Sequence, residues 1–331
     1  MQPSGRRSFL RQASLSLMAL GAPTVLAQQA RARRVGLLYL ASKRSFEETN
    51  RRATFVRGMR DAGYAEGKDF VIDGRYADGN DERLASLAAE LVHPRVDVIL
   101  TIGSQASRAA FQATANIPIV IAGVADPVGE GFAVSLAQPG RNVTGLSTNL
   151  DVMPKQLDLL MSVLPKLARV AVLRNTANAG NEAMLKVVQA TARRKGIDVL
   201  PVEGRSPADI EAAFGRIAAE GVDGLIVLAD TSFLQQGRRI AELCLQHRVP
   251  AIYANDQYPR LGGLMSYGFD DVDNFYAAAS FVDRIFKGAA PANLPFAQPT
   301  RFNLVINRTT AKTLGLRIPD PLLLRADKLI D

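Results

Sequence analysis

An α/β fold with parallel sheets, divided into two similar three-layer lobes joined by a hinge, is the architecture that this sequence predicts. Three observations carry the prediction. First, short β-branched runs alternate with helical patterns through both halves of the chain, as βαβ units require. Second, wording repeats between the halves: Val96-Asp97-Val98-Ile99-Leu100 is echoed by Val222-Asp223-Gly224-Leu225-Ile226, and Asn116-Ile117-Pro118-Ile119-Val120 by Arg248-Val249-Pro250-Ala251-Ile252. Third, 331 residues suffice for two domains, each with its own core. Two Rossmann-like lobes with a cleft between them follow.

Taken in order, the chain opens with an export signal over 1–27. Gly5-Arg6-Arg7-Ser8-Phe9-Leu10-Arg11 is a twin-arginine pattern ahead of an apolar run too short and too rich in Ala and Ser to span a membrane. Val25-Leu26-Ala27 places small residues for cleavage after Ala27, which directs the mature chain to the periplasm. Strands are expected at 35–40, 69–76, 96–100 and 117–122, with helices at 47–62, 81–92 and 104–115 between them. The second half repeats the pattern, with strands at 169–173, 197–202, 223–228 and 249–253. Its helices fall at 181–195, 207–220 (capped by Ser206) and 233–247. Glycine-rich stretches at 139–145 and 262–268 read as crossovers between lobes. A long helix at 271–287, a strand at 302–306 and a short helix at 309–314 complete the chain. The first lobe is assigned to 33–141 plus about 268–295, and the second to 142–267 plus about 296–331.

Composition excludes several functions. A single cysteine, Cys244, forms no intramolecular disulfide or thiolate cluster and reads as a buried thiol; His93 and His247 are too few for a histidine metal site. The formal charge is +8, three of those charges lying on Arg6, Arg7 and Arg11, and the other basic residues are too scattered for a nucleic-acid surface. No nucleophile elbow, zinc-protease helix, phosphate loop or Cys-x-x-Cys is present. The turn after the first strand, Leu40-Ala41-Ser42-Lys43-Arg44, lacks the glycines of a dinucleotide loop, so no cofactor is expected.

What remains is a set of polar residues at strand ends, where open parallel sheets bind ligands. These are Ser42, Gly103, Ser104, Gln105 and Asp126 in the first half, and Asn175, Asp230, Thr231, Tyr253 and Asn255 in the second. Ser104 is expected to cap the helix at 104–115, leaving backbone N–H groups for a carboxylate. Asp230 suits an ammonium, and Tyr253 an apolar side chain, so the set fits a small zwitterion. Asp230 equally fits a plain helix cap, Ser104 likewise, and Tyr253 a core position.

Several stretches carry a family resemblance: Gly58-Met59-Arg60-Asp61-Ala62-Gly63-Tyr64, Leu87-Ala88-Ala89-Glu90-Leu91-Val92, and Ile117-Pro118-Ile119-Val120 with Asp126-Pro127-Val128-Gly129. Gly140-Arg141-Asn142-Val143-Thr144-Gly145, Gly262-Gly263-Leu264-Met265-Ser266-Tyr267-Gly268, and Leu304-Val305-Ile306-Asn307 with Thr310-Ala311-Lys312-Thr313-Leu314-Gly315-Leu316 continue it. From Arg34 onward the chain resembles the ABC-transporter substrate-binding proteins whose better-known members bind tryptophan or tyrosine. The resemblance implies a type I periplasmic-binding fold and a monomeric, non-enzymatic receptor that delivers a small-molecule solute to an inner-membrane permease and ATPase. It does not carry over the ligand, and Ala41-Ser42 stands where many relatives have Gly-Ser. An extracytoplasmic sensor module is the alternative reading, and a Rossmann-like enzyme a more remote one.

Overall fold

A computed structural model describes residues 31–93, 95–148, 150–269 and 271–331; the expected export signal lies outside the described residues. The first sheet is assembled from β1 (Arg33–Tyr39), β2 (Phe70–Tyr76), β3 (Val98–Thr101), β4 (Ile119–Val124) and β5 (Val143–Ser147). Its order is β2-β1-β3-β4-β5 with every pairing parallel. Between β1 and β2 run α1 (Lys43–Glu48) and α2 (Arg51–Asp61), between β2 and β3 runs α3 (Leu84–Val92), and between β3 and β4 runs α4 (Ser104–Ala113). The single helix expected at 47–62 is two helices, because Asn50 takes a left-handed conformation (φ 59°). Asparagine tolerates that region better than most residues.

The second sheet begins after α5 (Val152–Val163). It holds β6 (Arg169–Arg174), α6 (Ala179–Arg194), β7 (Asp198–Glu203), α7 (Pro207–Ala219), β8 (Gly224–Val227), α8 (Thr231–Gln235), α9 (Gly237–Gln246), β9 (Ala251–Tyr253), α10 (Gln257–Arg260) and β10 (Met265–Gly268). Ser206 caps α7 in a reciprocal capping box with Asp209, as the sequence suggests. The chain then returns to the first lobe as α11 (Asp271–Phe286), which packs on α2 so closely that a Cβ on Gly58 would lie 2.7 Å from the Cβ of Ala279. Its last pass supplies β11 (Asn303–Asn307), α12 (Arg308–Thr313), α13 (Asp320–Arg325) and β12 (Lys328–Ile330). The second sheet's order is β12-β11-β10-β9-β8-β6-β7, parallel except for the β10–β11 pair.

Both sheets are covered on two faces. Along β1, Leu37 and Tyr39 enter one core while Leu38 and Leu40 enter the other; along β6, Val170 and Val172 part in the same way from Ala171 and Leu173. The duplication is complete over five strands, since β7-β6-β8-β9-β10 repeats β2-β1-β3-β4-β5. The echoed wordings fall on β3 and β8, and on β4 and β9.

The two glycine-rich crossovers are corrected by this topology. Residues 143–147 are β5, the edge strand of the first sheet, so the first crossing follows Ser147 and the lobe boundary at 141/142 falls too early. Met265–Gly268 is likewise a strand, and the second crossing follows it. The third comes after Ala297, which still bridges to Leu146 of β5.

Candidate functional site

The carboxyl ends of the parallel strands face each other across a cleft of about 780 Å³, its mouth included. From the first lobe come Tyr39 at the end of β1, Arg51 at the start of α2, Gly103 and Ser104 after β3, Gly123 to Ala125 at the end of β4, and Thr148 after β5. The second lobe contributes Asn178 and Met184 around the start of α6, Asp230 and Thr231 after β8, Asn255 after β9, and Tyr258 and Phe269. No group of His, Cys, Asp and Glu able to hold a metal occurs among the described residues.

One wall is built for an anion. Gly103 (φ 79°), not Ser104, is the N-cap of α4, and it has no side chain with which to satisfy the first-turn N–H groups. Ser104 is instead the first helical residue, and its hydroxyl donates to Glu130 Oε1 at 2.8 Å. The start of α4 therefore meets the cleft without a side-chain cap, carrying the positive end of its dipole. Beside the same cleft stands Arg51, only 1% exposed, whose Nη1 donates to Thr49 Oγ1 at 2.6 Å.

The opposite wall is organised by Asp230. It caps α8, accepting from the Ser232 and Phe233 backbone at 2.8 and 3.3 Å. It also accepts from Asn178 Nδ2 at 2.8 Å, from Asn175 Nδ2 at 3.3 Å, and across the cleft from Gln105 Nε2 at 3.2 Å. The Asp230 charge is felt by Asp81 of the first lobe: burial first, then Asp230, holds the Asp81 carboxyl above its usual range, with Arg205 opposing.

The residues expected from the sequence separate into three groups. Gly103, Ser104, Asp230, Thr231 and Asn255 line the cleft, while Gln105 and Asn175 reach it through Asp230. Ser42, Asp126 and Tyr253 do not line it. Ser42 caps α1 by accepting from Ser45 N, and Asp126 accepts from Gly129 N at 2.8 Å in a tight turn. Tyr253 is fully buried in the second lobe, where its hydroxyl donates to Cys244 Sγ at 3.2 Å and its ring stacks on Tyr258 at 4.3 Å. In the second lobe it is Tyr258 that lines the cleft. Cys244 is the buried thiol expected, and burial pushes it up to about 12.

Tyr39, Arg51, Asn178, Tyr258 and Phe269 are among the cleft residues that the sequence does not single out. For Arg51 the signal was the Arg51-Arg52 pair inside an apparently continuous helix. Only the break at Asn50 turns that position into a helix start at the cleft.

A duplicated two-lobed α/β fold with a ligand-sized cleft at its strand ends defines a solute-binding protein. The chain belongs to the ABC transporter substrate-binding protein family, which it matches over residues 37–330, and it is thus the non-catalytic, extracytoplasmic substrate-binding component of an ABC transporter. It is 24% identical over 283 residues to a tyrosine-binding protein of Clostridioides difficile (strain R20291), covering 86% of this chain and 81% of that one. A conserved domain protein of Vibrio cholerae O1 biovar El Tor superposes with a TM-score of 0.85 at 29% identity, over 90% of this chain and 100% of that one. An ABC domain in complex with L-Trp from Streptococcus pneumoniae superposes at 0.84 with 23% identity, over 90% and 100% of the two chains.

Proposed function

We propose that this protein is the periplasmic receptor of an ABC importer and that its cargo is an α-amino acid with an aromatic side chain. The observation that carries the reading is the polarity of the cleft: a buried arginine and an uncapped helix start on one wall, a carboxylate network on the other. A carboxylate at Arg51 and the start of α4 gains charge-assisted hydrogen bonds, and an ammonium directed toward Asp230 and Asn255 meets negative and carbonyl-like groups. Tyr39, Tyr258, Phe269 and Met184 then offer flat and polarizable surface to a ring. The names of the tyrosine-binding and L-Trp-bound relatives support the same class of cargo. In this reading the twin-arginine segment exports the chain, cleavage after Ala27 releases a monomer, and the closed lobes present the solute to a permease and ATPase.

A thermal-shift screen of residues 28–331 against the amino acids, aromatic acids and nucleobases tests the proposal. Ligand at a hundred times its Kd adds about 2.7 kcal/mol, a plain rise in melting temperature. Hits led by aromatic amino acids are expected; silence across all amino acids would sink the cargo assignment. Arg51→Met should weaken binding of the best hit by about a hundredfold, the cost of about 2.7 kcal/mol for a lost charged contact.

A further inference from the structure

On the side of the first sheet the lining of the cleft includes Tyr39, Ile102, Gly123 and Thr148. Behind it lies Asn274, near the start of α11. This asparagine is 4% exposed, and its Nδ2 is buried with no hydrogen-bond partner. Its helix otherwise turns Phe275, Ala278, Ala279 and Val282 into an apolar core, in which an unsatisfied amide is costly and a leucine of similar volume would not be.

Gly123 locates the amide relative to the cleft. A Cβ on Gly123 would lie 3.3 Å from Asn274 Nδ2, 3.3 Å from Thr148 Cγ2 and 3.8 Å from Ile102 Cγ1. Thr148 and Ile102 both line the cleft, so the amide meets its wall at a point where that wall lacks a side chain. Any other residue at position 123 would stand between Asn274 and a bound solute.

We infer that Asn274, reached through the gap at Gly123, is a specificity-determining residue that hydrogen-bonds a hydroxyl on the cargo's side chain. The inference rests on the proposed amino-acid cargo. A hydroxyl both donates and accepts, so the amide satisfies it in either of its two orientations. A site built around such a bond discriminates strongly against the analogue lacking the hydroxyl, because the amide is then left buried and alone. Tyrosine and phenylalanine differ by that one group.

Calorimetric titration of both amino acids into the wild-type protein, Asn274→Leu and Gly123→Ala is the test. Wild type should bind tyrosine at least tenfold more tightly than phenylalanine. Asn274→Leu should lose that preference by weakening tyrosine about tenfold with phenylalanine unchanged, while its ligand-free melting temperature stays level or rises. Gly123→Ala, which fills the gap and leaves the amide in place, should lose the preference too. Equal binding of the two by wild type, or an unaltered ratio in both variants, overturns the inference and leaves the amino-acid reading standing. If neither amino acid binds the wild type, the cargo assignment falls and takes this inference with it.

Discussion

Asp230 shows how one side chain can serve fold and site together. Both of its oxygens are engaged, one by the α8 backbone and the other by Asn178 and Gln105, so it holds the cleft wall in shape as well as charging it. Asp230→Ala removes a helix cap, worth about 1 kcal/mol, and strands buried amide donors at about 1–3 kcal/mol more. Unfolding in urea should therefore show a loss of about 2–4 kcal/mol, and calorimetry a more than tenfold weaker complex. Unchanged affinity would make Asp230 a cap alone. Tyr253→Phe makes the opposite case. It deletes only a hydroxyl–sulfur bond inside the second core, so stability should move by about 1 kcal/mol or less with affinity untouched. A drop in affinity would return Tyr253 to the site.

At the level of elements, β5 and β10 depend on glycines for a reason that also made them hard to read. Gly145 sits at φ +140°, and a Cβ there would lie 2.1 Å from the Ile121 carbonyl oxygen; at Gly268 it would lie 1.9 Å from that of Ala254. Backbone against backbone cannot relax locally, so Gly145→Ala and Gly268→Ala should each destabilise by more than about 3 kcal/mol or prevent folding. Gly129→Ala is the control. Its nearest neighbour, at 2.1 Å, is the Asp126 carboxylate, which can swing aside for about 1 kcal/mol of lost hydrogen bond. Thermal unfolding of the three variants that gave equal losses would contradict this ordering. The same glycines sit in short strands, one of which (Met265–Gly268) has no β-branched residue, and the sequence then resembles a hinge. Val152–Val163, to which the sequence reading assigns no element, is a helix whose Pro154 falls in the first turn, where a missing N–H is tolerated. By contrast the strands buried on both faces, and Asp230 after β8, were legible because hydrophobic runs and strand ends are local features. Arg51, Tyr258 and Asn274 were not. Their roles come from a left-handed break, a neighbour's stacking and a gap in another strand, none of which is local to them.

At the scale of the whole molecule Glu130 is, beside Asp230, a second carboxyl group at which the lobes meet. Glu130 of the first lobe accepts from Ser104 and lies 3.1 Å from where a Cβ of Gly180 would stand, at the start of α6 in the second lobe. Its Oε2 is buried without a hydrogen bond, with Arg108 Nη2 3.8 Å away. Burial raises its pKa to about 7, reinforced by Asp126, while the Ser104 bond and Arg108 oppose the rise. A carboxyl raised above its unfolded value near 4.5 contributes stability that is fully present below that value and lost as pH climbs through about 7. The swing is on the order of 3 kcal/mol. Urea unfolding should thus show stability declining between about pH 5 and 8, and Glu130→Gln, which cannot ionise, should flatten that decline. Opening of the lobes would withdraw α6 and return Glu130 to water, so closing takes up a proton. Affinity for the solute should then fall about tenfold from pH 6 to pH 8 in the wild type and stay level in Glu130→Gln. A pH-dependent stability with a pH-independent affinity would place the burial of Glu130 within the first lobe alone. Parallel loss of both in wild type, and of neither in the glutamine variant, would make this carboxyl the proton-linked contact between the lobes.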